Sequence, residues 1–258
     1  MSTRQLPSPL VQTDWLSAQL DDADVRIVDV RWRAHYHSGR GTLVDDRDGF
    51  MAGHIPGAVF VGTVTDLSDR HHPIPDMLVP PEQFAQVMGR LGIGDDTLVV
   101  AYDDMGLPVA AARLWWALSY YGHDRVRVLD GGLRKWRAEG RPLSTDVPSV
   151  GLALFTPRPR PEWIARKDDV VAALGQPGVT IVDCLVPDLY GSTEHHPWGE
   201  RPGHIPGAVN VPSLANADPA LATATTTERN RLLATDRAFT YAPPDTLASL
   251  YCAAGVTS

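Results

Sequence analysis

One heptapeptide occurs twice in this chain of 258 residues, because GHIPGAV at residues 53–59 is repeated letter for letter at residues 203–209. The two copies are 150 residues apart (203 − 53). Seven identical residues that include His, Pro and two Gly do not arise from shared secondary-structure preferences. The chain therefore contains an internal duplication, and a period this long indicates two domains rather than a solenoid.

Each copy of the heptapeptide predicts a tight turn that leads into a buried strand. Its glycines accept positive φ, its proline biases the preceding Ile towards extended geometry, and its Ala-Val can enter a strand. A histidine in such a turn usually hydrogen-bonds the backbone. We therefore expect His54 and His204 to be structural.

Length, composition and charge limit the class of protein. A chain of 258 residues can form two domains that each bury a core, and 43% hydrophobic with 21% charged residues is typical of a globular protein. A net charge of −8 argues against a nucleic-acid partner. No apolar run reaches membrane-spanning length, and the first nine residues lack a signal-peptide core. Two cysteines, Cys184 and Cys252, without an export signal predict no disulfide and a cytoplasmic location.

The first half of the chain alternates predicted strands with predicted helices. Strands are expected at residues 25–30, 59–61, 97–102 and 126–129, and helices at 80–91, 109–121 and 133–139. The polar, Gly-containing stretch 32–52 is expected to be a loop. This alternation predicts an α/β fold with a doubly wound parallel sheet, in which ligands bind beyond the C-terminal ends of the strands.

The duplication and the proline content suggest domain boundaries. We expect a first domain at residues 1–140, a proline-rich linker at 141–161, and a second domain at 162–258. The second domain begins with a predicted helix at 163–174 and a strand at 179–183 that matches residues 25–29. Residues 213–241 show no clear pattern.

Several motifs together resemble the two-domain rhodanese-type sulfurtransferases, a family that includes thiosulfate sulfurtransferase and 3-mercaptopyruvate sulfurtransferase. Besides the doubled GHIPGA, they are Asp-Val-Arg at 29–31, His-Pro-Ile-Pro at 72–75, Ala-Tyr-Asp at 101–103, and Val-Leu-Asp-Gly-Gly at 128–132 with Trp136. The resemblance covers residues 10–140 and 163–212.

The resemblance implies tandem rhodanese-like domains, each a parallel sheet flanked by helices. It also implies transfer of sulfane sulfur from thiosulfate or 3-mercaptopyruvate to cyanide or a thiol, through a cysteine persulfide and without a metal or organic cofactor. In the family the N-terminal domain is catalytically silent and carries Asp where the second domain carries the catalytic Cys; Asp103 fits that silent position. The catalytic loop has the form Cys-x-x-Gly-x-x, and its inward N–H groups lower the thiol pKa.

Two interpretations of residues 243–258 remain open. In the first, Cys252-Ala-Ala-Gly-Val-Thr is the catalytic loop, because the preceding Asp-Thr-Leu-x-x-x-Tyr at 245–251 matches residues 96–102. In the second, residues 243–254 match the helix at 80–91, with Pro-Pro at the start, Gly at the end and an apolar stripe between. Cys252 is catalytic only in the first interpretation. In both, the second domain is expected to be incomplete at its C-terminus and the activity weak or absent.

Other residues in the second half depart from the family pattern or attract a functional interpretation. Leu185 and Leu189 stand where the family has Arg, which removes donors suited to an anionic substrate. Cys184 is expected to be buried and inert. Adjacent His195 and His196 cannot easily converge on one ion, so no metal site is expected. The alternative function is a non-catalytic rhodanese-like binding or scaffold protein, and the sequence does not select the sulfur donor.

Overall fold

The computed structural model describes residues 8–37, 40–105, 109–193, 202–217, 221, 224–233, 235 and 239–240. These residues form two compact units. The first comprises the described residues up to 35 and those from 42 to 161, and the second comprises those at 36–41 and from 162 onward.

A parallel sheet forms the centre of the first unit. The strands of this half of the chain are β1 (Leu10–Val11), β2 (Val25–Asp29), β3 (Trp32–His37), β4 (Arg40–Asp45), β5 (Val59–Phe60), β6 (Leu98–Tyr102) and β7 (Val126–Leu129). Five of them form one sheet in the order β1-β7-β6-β2-β5, with every pair parallel. All five residues of β6 are buried, as its apolar, β-branched sequence predicts for a central strand.

Helices cover both faces of this sheet. They are α1 (Thr13–Ser17), α2 (Arg47–Ala52), α3 (Pro81–Arg90), α4 (Val109–Tyr120) and α5 (Gly132–Ala138). Side chains that alternate along β6 enter opposite cores, with Val99 in one and Val100 in the other. The predicted α/β fold with a parallel central sheet is confirmed. No helix in the described ranges is long and apolar enough to cross a bilayer.

Residues 32–52 are not the predicted loop. Strands β3 and β4 form a separate two-stranded sheet, and α2 follows them. Helix α2 is capped by Asp46, whose carboxylate accepts a hydrogen bond from the Gly49 N–H at 3.0 Å. Residues 32–37 do alternate apolar with polar side chains, as a half-buried strand does, and the prediction missed this alternation because the residues after it are polar and Gly-containing.

Residues 141–160, here named the strap, lie along the first unit. His54 and Ser144 exchange two backbone hydrogen bonds of 2.9 Å each, and the Ala153 N–H donates to the Gly89 carbonyl at 3.0 Å. Phe155 of the strap is buried edge-on against Phe84, with ring centroids 5.5 Å apart. The segment predicted as a linker therefore contributes to the core of the first unit.

The second unit is described by shorter elements. After a 3₁₀ turn at Pro161–Trp163 these are α6 (Lys167–Ala173), β8 (Val182–Asp183), α7 (Pro187–Tyr190), β9 (Val209–Asn210), a 3₁₀ turn at Ser213–Asn216 and α8 (Thr226–Leu233). The predicted helix at 163–174 is confirmed over residues 167–173. Helix α8 lies in the stretch for which the sequence predicted no element.

The duplication is confirmed in the strand register. Val28 is paired with Val59 and Asp29 with Phe60 across β2 and β5. The corresponding residues of the second copy are paired in the same way, Val182 with Val209 and Asp183 with Asn210. Strands β8 and β9 are therefore the counterparts of β2 and β5.

Candidate functional site

The histidine of each heptapeptide supports the turn, as predicted. The His54 ring stacks on Phe50 with centroids 4.0 Å apart, and the His204 ring stacks on Tyr190 at 3.8 Å. In each pair the histidine Nδ1 lies beside the aromatic residue's carbonyl oxygen, at 2.9 Å and 2.8 Å. The second glycine of each copy has a φ of 78° or 80°, a conformation that favours glycine. Both histidines are thus structural.

Asp103 occupies the point where β6 ends and the polypeptide turns towards α4. Its buried carboxylate accepts hydrogen bonds from three backbone N–H groups, those of Ala110 at 2.9 Å, Ala111 at 3.1 Å and Met105 at 3.2 Å. Burial raises the pKa of Asp103 to about 7, although these donors favour the ionised form. The carboxylate therefore lies at the N-terminal end of α4, a place suited to an anion.

The arrangement at Asp103 limits the chemistry of the first unit. The side chain is not a nucleophilic thiol, and it already accepts hydrogen bonds from the three N–H groups. An external anion at the same place would have to displace it. This geometry is consistent with the sequence-based prediction that Asp103 is the silent equivalent of a catalytic cysteine, which stays a prediction.

Arg31 and Asp29 form a buried ion pair beneath this loop. The Arg31 Nε lies 3.0 Å from each carboxylate oxygen, and both side chains are essentially inaccessible. The same guanidinium donates to the Gly49 carbonyl at 2.9 Å and to the Gly53 carbonyl at 3.0 Å. Its donors are therefore directed at the protein itself and hold α2 and the heptapeptide turn in place.

A second ion pair was not expected from the sequence. Arg33 binds the Asp104 carboxylate through two hydrogen bonds of 2.7 Å and 2.6 Å, and it lies 2.7 Å from Asp46. Although burial opposes ionisation, the Arg33 guanidinium holds the pKa of Asp104 below its ordinary value. Asp104, the second residue after β6, thus anchors the β3–β4 ribbon through Arg33.

The second unit repeats the backbone hydrogen bond to the Asp29 carboxylate but lacks the guanidinium that Arg31 provides in the first unit. The Asp183 carboxylate accepts a hydrogen bond from the Leu185 N–H at 2.8 Å, as Asp29 does from the Arg31 N–H at 3.1 Å. Leu185 provides no charged donor, and the Asn210 amide instead donates to the carbonyl oxygens of Asp183 and Leu185. Leu185 therefore stands at the position that Arg31 occupies in the first unit, and it provides no guanidinium there.

Cys184 is exposed, so the expectation that it is buried is wrong. Its counterpart Val30 is fully buried, and the Val30 N–H donates to the Tyr102 carbonyl at the end of the central strand. Among the described residues no strand takes the place of β6 beside β8. Partial burial of the sulfur and the Asp183 charge raise the pKa of the Cys184 thiol. This thiol is therefore not activated as a nucleophile.

The remaining sequence candidates lie outside the described residues. These are Cys252 and the group Glu194, His195, His196 and Glu200. Within the described ranges no three His, Cys, Asp or Glu side chains are grouped so that they could hold a metal ion.

Comparison with known proteins gives consistent matches. A family model for the Rhodanese-like domain matches residues 12–139. A 3-mercaptopyruvate sulfurtransferase of Escherichia coli is 34% identical over 203 residues, which are 78% of this chain and 70% of that protein. A human 3-mercaptopyruvate sulfurtransferase is 36% identical over 219 residues, 82% of this chain and 71% of that protein. The crystal structure of SseA from Escherichia coli, described as having the rhodanese fold, aligns with a TM-score of 0.74 at 28% identity and covers 97% of this chain and 85% of its own.

Proposed function

This chain belongs to the rhodanese family of sulfurtransferases, and we propose that it transfers sulfane sulfur from 3-mercaptopyruvate or thiosulfate to cyanide or a thiol. The names of its relatives support this reaction, and they do not favour the alternative of a non-catalytic scaffold. We propose that Cys252 carries the sulfur as a persulfide. A cytoplasmic location and the absence of a metal or organic cofactor are part of the same proposal.

The observation that carries this assignment is the shared register of the two units. In the first unit β6 lies beside β2, with Asp29 opposite Tyr102, and Asp103 follows. In the second unit β8 and β9 repeat β2 and β5. Because residues 245–251 match residues 96–102, Tyr251 corresponds to Tyr102 and Cys252 corresponds to Asp103.

Helix α8 favours this interpretation of the sequence over the helical one. In the first unit α3 lies between β5 and β6 along the chain, and in the second unit α8 follows β9. With α8 in the place of α3, residues 243–254 are not needed as the helix before the central strand. They are free to supply that strand and the loop after it.

The proposed chemistry needs a thiolate at Cys252. The thiolate attacks the sulfane sulfur of thiosulfate, a persulfide S–S bond forms, and sulfite leaves with the electron pair of the broken S–S bond. With 3-mercaptopyruvate the C–S bond breaks, and the released carbon takes the electron pair and the thiol proton to give pyruvate. Cyanide then removes the outer sulfur as thiocyanate and regenerates the thiolate. Backbone N–H donors like those at Asp103 would stabilise the thiolate and the persulfide anion.

The test is the intact mass of the protein after incubation with each donor, followed by mapping of the modified peptide. We expect the gain of one sulfur atom on Cys252, retained in Cys184→Ser and abolished in Cys252→Ser. Alkylation before the donor is added should also abolish it. A sulfur atom on Cys184, or no gain on either cysteine, would contradict the assignment.

A further inference from the structure

A pocket of about 350 Å³ lies at the N-terminal end of α4 in the first unit. One wall consists of Val109, Arg113 and Trp116, which are spaced so that they share one face of α4, and the other includes Trp32 and Leu43. The volume is in the range of small-molecule sites, and aromatic side chains are typical of their walls. The sulfur transfer proposed above uses none of these residues.

Arg113 brings a positive charge to this largely apolar pocket. Its side chain is half-buried, and Nη2 donates to the backbone carbonyl of Asp76 and to the Ser68 hydroxyl, the latter at 3.2 Å. Both acceptors are neutral, and no carboxylate among the described residues lies within ion-pair distance of this guanidinium. Burial lowers the pKa of Arg113, and the nearby Asp76 charge compensates only in part. A partly desolvated cation of this kind favours an anionic ligand.

The backbone at Asp76 holds the guanidinium in position. Asp76 has a φ of 60° and is the one non-glycine residue with positive φ in the described part of the chain. This conformation costs free energy and is found where surrounding contacts enforce it, often at ligand sites. Here its carbonyl oxygen accepts the Arg113 hydrogen bond.

The anion-binding position at the N-terminal end of α4, next to the pocket, is already occupied by the Asp103 carboxylate. Ala110, which also lines the pocket, donates its N–H to the Asp103 carboxylate. The N-terminal end of α4 is therefore neutralised from inside the protein. Asp76 also lines the pocket, so an external anion would meet Arg113 beside that carboxylate and not the backbone donors.

We propose that this pocket binds a small aromatic carboxylate. Its ring packs against Trp32 and Trp116, and its carboxylate accepts hydrogen bonds from Arg113. The two tryptophans provide the apolar area and the guanidinium provides the preference for an acid over a neutral analogue of the same shape.

The test is calorimetric titration of the full chain with 2-naphthoate and, in parallel, with the neutral 2-naphthamide. We expect 2-naphthoate to bind with a Kd of about 0.1 mM, the range for a ligand of this size, and the amide to bind about tenfold more weakly. Arg113→Met should remove this difference. Arg70→Met, which changes an exposed arginine outside the pocket, should leave both affinities unchanged.

A second variant keeps the proposal testable if Arg113→Met does not fold. Val109 is half-exposed in the pocket wall, so Val109→Trp should obstruct the pocket and weaken both ligands while Arg113 keeps its hydrogen bonds. Equal binding of acid and amide to the unmodified chain would overturn the proposal. So would the absence of binding, or binding that survives both Arg113→Met and Val109→Trp. Cys252→Ser should bind 2-naphthoate normally, which separates this result from failure of the sulfur-transfer proposal.

Discussion

Asp103 is a single carboxyl group on which two effects oppose each other. Complete burial favours its protonated form, whereas three backbone N–H donors favour the carboxylate, and the resulting pKa is about 7. The pKa of an unfolded Asp is about 3.9. Because the folded value is the higher one, the folded state binds the proton more tightly. The stabilisation is complete below about pH 4 and is lost as the pH rises through about 7.

We therefore predict a pH dependence that Asp103→Asn removes. Between pH 5 and pH 8 the free energy of unfolding of the unmodified chain should fall by about 2.5 kcal/mol more than that of the Asn variant, because an amide does not ionise. Denaturant unfolding at several pH values measures this difference. Parallel curves for the two proteins would show that the N–H donors dominate and that the carboxyl is ionised throughout.

At the scale of the element, the two heptapeptide turns have the same backbone but different surroundings. Ile55 is fully buried, and its N–H donates to the Tyr102 hydroxyl at 3.1 Å. Ile205, at the same place in the second copy, is 43% exposed. The central strand provides the cover in the first unit, and none of the described strands provides it in the second.

This difference predicts unequal costs for one substitution made twice. Ile55→Ala should destabilise the first unit by about 2–4 kcal/mol, because it removes packed methyl groups from the core. Ile205→Ala should cost the second unit less than about 1 kcal/mol. Hydrogen exchange at the Val28 and Val182 amides reports on the two units separately. An equal cost would contradict the exposed position of Ile205.

At the scale of the whole molecule, the strap extends the first unit beyond its last helix. Phe155 is buried in the core that includes Phe84, and Trp136 of α5 donates through its indole N–H to the Pro142 carbonyl at 2.7 Å. The strap also pairs with the heptapeptide turn at Ser144. The elements before it therefore depend on residues beyond α5 to complete their core.

We predict that a fragment of residues 1–161 folds more stably than one of residues 1–140. The shorter fragment exposes the surface that Phe155 covers and loses the backbone pairing at Ser144, so its thermal midpoint should be lower. Phe155→Ala in the longer fragment is the matched control, with an expected loss of about 3–5 kcal/mol. Equal thermal midpoints for the two fragments would contradict a structural role for the strap.

Much of the architecture was predictable because it depends on local patterns and on the duplication. The apolar run at residues 97–102 indicated a central strand, the spacing at 80–91 indicated a helix, and the repeated heptapeptide implied two related units in the same register. Helix α8 was missed because its sequence is polar and lacks a strong apolar period. Strand β3 was missed although its residues alternate between apolar and polar, because the polar, Gly-containing residues that follow it obscured the pattern.

The sequence by itself determined the family, the parallel α/β fold, the repeated turn and the position of Asp103 after the central strand. Only the tertiary structure decided which distant charges meet, because strand order and not sequence spacing places Arg33 beside Asp104. It also decided that Cys184 is exposed, since burial depends on which strand covers it. The pocket at Arg113 arises in the same way, because its walls come from α4 and from a ribbon far earlier in the chain, brought together by packing around the shared sheet.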